Sequence, residues 1–170
     1  MKSVLISIRP KWCELIASGK KAIEVRKTKP RIETPFKCYI YCTYELINGK
    51  KFSSVLIARD TQKRYTANGK VIGEFVCDRI LEIDCDSVAP FDYETKEYID
   101  EEICFGRDEL IKYAGFTRPF GWHISDLVIY DKPKELSEFQ KSCRRNENCC
   151  TCNRLYNKKF DCIVGITRPP

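Results

Sequence analysis

Histidine is nearly absent from this chain: His123 is the only one among 170 residues. A Ser-His-Asp or Cys-His nucleophilic mechanism would have to use it. On a regular strand His123 and Ser125 would share a face with their Cβ atoms about 6–7 Å apart, a poor start for a nucleophile–base pair. None of the eleven cysteines lies in a protease-like local motif, so a structural histidine is favoured over a catalytic one. Long apolar runs are missing as well. Val4-Leu5-Ile6-Ser7-Ile8 is short, has no small-residue cleavage site and reads as a buried strand. Nothing approaches the roughly 20 apolar residues that span a bilayer. A soluble cytoplasmic protein with no membrane partner is expected. There is no internal repeat of significant length and no low-complexity tract. At 170 residues and 43% hydrophobic, the chain is long enough for one core and too short to require two.

Charge is present, and unevenly placed. The net charge of +6 is moderate, but Lys20, Lys21, Arg26, Lys27, Lys29 and Arg31 fall within twelve residues opposed only by Glu24. Such a cluster attracts phosphate and makes binding salt-dependent. A second basic group, Arg144, Arg145, Arg154, Lys158 and Lys159, lies near the C-terminus. A 32% charged fraction of mixed sign is also ordinary for a solvated surface, so charge alone moves the reading only modestly towards nucleic acid.

The basic cluster begins where a helix should stop. Pro10 suits a first helical turn, Trp12, Leu15 and Ile16 recur at helical spacing, and Gly19 suits the left-handed residue after a helix, which predicts a helix from about Pro10 to Ser18. Ile23 and Val25 then alternate with Glu24 and Arg26, which predicts a strand with its apolar pair inward and its charged pair together on the other face. Lys21 sits at the turn between them. The plain alternative is a solvated strand edge with an ion pair worth about 0.2–1 kcal/mol.

Further strands are expected around Cys38-Tyr39-Ile40-Tyr41-Cys42, with the tyrosines on one face, from Val71 to Asp84, with Gly73 marking a bulge or a close backbone approach, and from Phe120 to Tyr130. Tyr39 and Tyr41 either stack on unpaired bases or pack as cross-strand partners. Glu74 is a candidate cleft carboxylate or an outer-face residue. Trp122, His123 and Ser125 can together stack on and hydrogen-bond to a base. Asn48-Gly49 and Asn68-Gly69 bracket an inserted hairpin or flap. Residues 86–106 read as acidic and irregular, and a helix from about Asp108 to Tyr113 should be capped by Asp108 and stopped by Gly115. Cys162 to Ile166 reads as a final strand.

Gly19-Lys20-Lys21-Ala22-Ile23-Glu24-Val25-Arg26, a GxKxxExR pattern after a short helix, resembles the signature of the ASCH domain, the activating-signal-cointegrator homology domain related to the PUA fold. The segments SIRPKWCELIASGKKAIEVRK, GKVIGEFVCDRI and FGWHISDLVIYDKPKELSEF are similar, in the same order, to a subgroup found in bacteria and their phages, and span most of residues 3–139. The resemblance implies an α+β fold, a small PUA-like β-barrel with short flanking helices. It implies a domain over residues 1–139 with a polar insertion near 44–70, and a cysteine-rich extension over 140–170 that completes or packs on the same domain. Similar proteins continue past a segment like Arg168-Pro169-Pro170 with a short aromatic-containing end, so a shortened C-terminus is expected here.

The cysteines fall into two sets. Cys13, Cys38, Cys42, Cys77, Cys85 and Cys104 are scattered and should behave as small hydrophobes in a reducing cytoplasm. The second set is Cys143, Cys149, Cys150, Cys152 and Cys162: Cys149 and Cys152 form a C-x-x-C pair, with Cys143 before and Cys162 after, so four thiolates are available to a tetrahedral zinc ion and Cys150 is spare. Free thiols on a tail, or an adventitious disulfide, are the alternatives. Such a zinc would be structural, since all four ligands come from protein. No organic cofactor is expected.

Three functional readings follow from the resemblance and the residues. The first is a binding module for RNA or another single-stranded nucleic acid, with Lys21, Arg26 and Lys27 on phosphate, Glu24 accepting from a base edge or orienting Arg26, and Tyr39, Tyr41, Trp122, His123 and Ser125 contacting bases. The second is a small hydrolase, a ribonuclease or an amidohydrolase acting on a modified nucleoside, with Lys21 and Glu24 catalytic. In the amidohydrolase pattern a threonine nucleophile stands three residues after the lysine; here that position is Glu24, which could activate water but not repeat the nucleophilic step. The third is a phage or host regulatory module whose basic face binds an acidic protein.

Overall fold

A computed structural model describes residues 1–47, 50–52, 55–57, 64–85, 89–115, 117–141, 161–163 and 165–167. In chain order the elements are β1 Ser3–Ile8, α1 Pro10–Ala17, β2 Ile23–Arg26, β3 Phe36–Cys42, β4 Glu45–Ile47, β5 Lys50–Phe52, β6 Val55–Ile57, β7 Arg64–Thr66, β8 Lys70–Cys77, β9 Ile80–Asp84 and β10 Phe91–Asp92. They continue with α2 Asp100–Ile103, α3 Arg107–Ala114, β11 Phe120–His123, β12 Ser125–Glu135, a 3-10 turn Leu136–Glu138, β13 Phe139–Lys141, β14 Asp161–Ile163 and β15 Gly165–Thr167. The α+β class expected from the sequence is the one observed. Two sheets carry it, one of five strands in the order β12-β8-β3-β1-β15 and one of four in the order β10-β9-β11-β2. The pairs β4–β5 and β6–β7 are each antiparallel.

Helix α1 forms as its sequence suggests. Pro10 opens it, and it buries Trp12, Cys13 and Ile16. Gly19 has a φ of 73°. Its amide donates to the Ile16 carbonyl at 2.9 Å, and the Lys20 amide donates to Leu15 at 3.0 Å. This paired closure satisfies the last carbonyls and turns the chain towards β2.

Two long strands predicted from period alone are each broken. Val71 to Asp84 is divided into β8 and β9, and Phe120 to Tyr130 into β11 and β12, with the two halves in different sheets. The chain changes sheet at Asp78-Arg79 and again at Ile124. Apolar alternation continues through such a corner because both halves still pack on one core. His123 Nδ1 lies 2.6 Å from Asp78 Oδ1, tying the two corners together. The acidic stretch contains a short helix, α2, and the strand β10, where its composition predicts irregular structure. The cap of α3 is Gly106, two residues ahead of the expected Asp108, which lies in the first turn. The final strand is two short ones, β14 and β15.

The main core gathers Ile6, Ile8, Trp12, Ile16, Ile23, Val25, Phe36, Ile40, Ile72, Phe75 and Trp122. A smaller cluster of Leu5, Tyr39 and Val71, with Tyr41, Tyr130 and Phe139 packed against it, covers the other face of the five-stranded sheet. Gly73 makes the close approach expected of it: a Cβ there would stand 2.4 Å from the Val128 carbonyl oxygen.

Candidate functional site

The three charged residues of the opening motif are all buried, with Lys21 1% exposed and Glu24 and Arg26 each 5% exposed. A solvated strand edge is therefore not what they form. Strand β2 points Ile23 and Val25 into the main core. Its alternation brings Glu24 and Arg26 together on the other face, in keeping with their spacing. Glu24 Oε1 lies 3.4 Å from Arg26 Nε, and Oε2 lies 3.9 Å from Lys21 Nζ. Arg26 is anchored by donating from Nη2 to the Ser7 carbonyl at 2.7 Å. Its Nε is buried and has no hydrogen-bond acceptor among the described residues.

Lys21 donates from Nζ to the Ile103 carbonyl at the end of α2. Beside it the Ala22 amide donates to the Glu102 carbonyl at 3.0 Å. The rings of Trp12 and Phe105 stack at 4.2 Å and 16°. Lys21 Nζ lies 4.9 Å from the Trp12 ring and 5.1 Å from the Phe105 ring, in reach of both π faces. Burial lowers the Lys21 pKa from 10.5 to about 8, while the Glu24 charge pulls it back up. Near neutral pH the ammonium is mostly charged, and the triad carries a net positive charge.

Above this triad opens a cleft of about 380 Å³. Glu24 and Arg26 form its floor, Trp12, Phe105 and Tyr113 its aromatic walls, and Arg9, Lys27, Lys112 and Glu109 its charged rim. Lys27 and Lys112 are exposed. Glu109 pairs with Lys11 at 3.3 Å. Lys21 does not border the cleft; its side chain is fully enclosed.

The remaining sequence candidates lie elsewhere. Tyr39 is buried on the far face of the five-stranded sheet with its ring 5.0 Å from Phe139, and Tyr41 packs in the same cluster. Trp122 is fully buried opposite Glu24 in register, edge-on to Phe36. Its indole N–H has no hydrogen-bond partner among the described residues. His123 pairs with Asp78 at the corner, and Ser125 donates to the Val76 carbonyl at 2.9 Å. Glu74 accepts from Lys37 at 2.6 Å and from the Tyr130 hydroxyl, away from the cleft. Cys143, Cys149 and Cys152, three of the four expected zinc ligands, lie outside the described residues; Cys162 is in β14, where the backbone alone is described. Among the described residues no helix is long and apolar enough to cross a membrane.

Comparison with known proteins bears on this geometry through structure. No family model matches the chain, and no curated protein matches it. Among solved structures it is similar to ASCH from Zymomonas mobilis, with a TM-score of 0.53, 20% identity, and coverage of 80% of this chain and 75% of that one. A point mutant of the Zymomonas mobilis protein aligns with a TM-score of 0.53 and 19% identity, over 81% of this chain and 78% of that one. The fold is that of an ASCH domain. Within that fold the site residues that sequence reasoning does not reach are Ser7, Trp12, Phe105 and Tyr113. The spacing of Trp12 marks it only as helix core. Phe105 lies in the acidic stretch, where nothing marks it as the partner of Trp12.

Proposed function

We propose that this ASCH-fold chain binds nucleic acid, namely RNA in single-stranded form, through the cleft above Glu24 and Arg26. The observation that supports this is the combination in one concavity of a buried Glu24–Arg26 floor, aromatic walls and the exposed cations Lys27 and Lys112 on the rim. Rim cations suit the phosphate backbone, while a polar floor suits an unpaired base edge. The test is anisotropy of labelled single-stranded RNA, duplex RNA and DNA across a salt series. A Lys27→Ala/Lys112→Ala double variant should bind single-stranded RNA more weakly, with a shallower slope of log affinity against log salt, by about 0.7 for each phosphate that the variant leaves unneutralised. Absence of binding at low salt, or an unchanged slope in the double variant, refutes the proposal.

A hydrolase reading has one observation in its favour: the Glu24 carboxylate borders the cleft beside Lys21, whose pKa is lowered to about 8 by burial. Adding acylated cytidine to the same incubations decides it. Product that disappears in Glu24→Gln selects the enzyme; salt-sensitive binding without product selects the module.

A further inference from the structure

The floor of the cleft has hydrogen-bonding capacity left over, and its chemistry is selective. Arg26 Nη2 is committed to Ser7, which fixes the guanidinium, while Nε is a buried donor without an acceptor among the described residues. Glu24 has only two ionic neighbours among those residues, Arg26 Nε at 3.4 Å and Lys21 Nζ at 3.9 Å. Lys21 donates instead to Ile103. Among the described residues neither carboxylate oxygen therefore receives a hydrogen bond, although together they offer about four acceptor sites. Arg26 Nε is a buried donor of the kind that is costly to leave unpaired, and the Glu24 carboxylate, 5% exposed, borders the cleft with acceptor capacity open to a ligand.

Charge excludes the simplest occupants. A phosphate or an acidic peptide seated on Arg26 Nε would be within contact of the Glu24 carboxylate, and a cation seated on Glu24 would meet Arg26 and Lys21. The occupant is a neutral group with donors for Glu24 and an acceptor for Arg26. Among the four RNA bases, only guanine presents two adjacent N–H donors, N1–H and the N2 amine, with a carbonyl, O6, next to them. Adenine and cytosine set a ring-nitrogen lone pair beside their amine, and uracil flanks its single N–H with two carbonyls. Each of these would turn a lone pair towards Glu24.

Resting on the nucleic-acid reading above, we infer that the cleft is a guanine-specific subsite: Glu24 accepts from N1–H and the N2 amine of an unpaired guanine, and the positive Arg26 guanidinium beside it, which also lines the cleft, favours the O6 carbonyl. The whole Watson–Crick edge is used, so the base must be unpaired. Discrimination comes as much from the repulsion of the other three bases as from attraction of guanine.

The test uses the full chain and uridine pentamers of RNA carrying guanosine, inosine, adenosine, cytidine or uridine at the centre. Inosine keeps N1–H and O6 and lacks only the N2 amine. The guanosine pentamer should bind tightest, roughly 10- to 100-fold over the uridine pentamer, and inosine should lose about tenfold relative to guanosine, the scale of one hydrogen bond to a charged group. Glu24→Gln, which exchanges one acceptor for a donor, should abolish the distinction between guanosine and inosine. If that variant does not fold, the inosine comparison on the wild-type chain decides alone. Equal affinity for guanosine and inosine overturns the guanine assignment. If that equal binding is still weakened by Lys27→Ala/Lys112→Ala, the nucleic-acid reading stands without it. Failure of every pentamer to bind overturns both.

Discussion

Replacing Lys21 with methionine should remove a pH dependence of stability that this one side chain creates. Burial lowers its pKa from 10.5 to about 8, so the folded state favours the neutral amine while the unfolded chain keeps its proton up to the ordinary range. Between pH 8 and 10.5 the unfolded state holds more protons, and stability therefore rises with pH across that window. At 1.36 kcal/mol per pH unit the full effect is about 3 kcal/mol. The part accessible between pH 7 and pH 9 is about 1.3 kcal/mol. Lys21→Met keeps an unbranched stem beneath Trp12 and Phe105, but loses the donor to Ile103 and one neighbour of Glu24. Its stability is offset by a constant amount at every pH, and the rise is absent. Urea unfolding of both proteins at half-unit steps from pH 7 to 9.5 measures the difference, in which titrations common to both cancel. A wild-type-minus-variant difference that stays flat to pH 9.5 would show that Lys21 is not held in a desolvated site.

Gly73→Ala should destabilise by about 1–3 kcal/mol, because the new methyl would stand 2.4 Å from the Val128 carbonyl oxygen and β8 or β12 must move; an unchanged melting temperature refutes this. Burial pushes the Glu74 carboxyl up, but hydrogen bonds from Lys37 and Tyr130 outweigh it and hold the pKa below the ordinary carboxylate value. A lowered folded pKa contributes stability above the unfolded pKa that disappears as pH falls. The stability gap between wild type and Glu74→Gln should therefore shrink as pH is lowered from 7 through the carboxylate range, and a gap independent of pH refutes the pairing.

Local features were the legible part of this fold. Pro10, the helical spacing of Trp12 and Ile16, and the stop at Gly19 located α1; the alternation after it located β2 and placed Glu24 with Arg26. Gly73 carried its own signal, since a glycine inside a strand pattern marks a close neighbour. Changes of sheet carried none. A strand that bends at Asp78-Arg79 or Ile124 keeps burying every second residue, so its period is unbroken while its partners change. Spacing also left the two-sided burial of the five-stranded sheet open. Alternation put Tyr39 opposite Cys38 and Ile40, but whether solvent, a ligand or a second cluster met that face depended on Phe139, far along the chain. Burial of Lys21 is likewise a tertiary fact, made by the α2 carbonyl and the Trp12–Phe105 pair.

Strand β1 carries a cost that belongs to synthesis. Ser3–Ile8 is buried along its whole length between two parallel neighbours, Phe36–Cys42 on one side and Gly165–Thr167 on the other. On a growing chain this uncharged, mainly aliphatic hexapeptide emerges before either neighbour, finds its first sheet partner only after the motif has passed, and keeps its other edge open until residues 165–167 appear. Pairings so distant in sequence form slowly. Short apolar segments without charge or proline are those that pair between chains instead. Nascent chains should thus be most vulnerable to cross-pairing before residues 165–167 are made, and chaperone capture in that interval should raise yield more than any stabilising substitution in the finished fold.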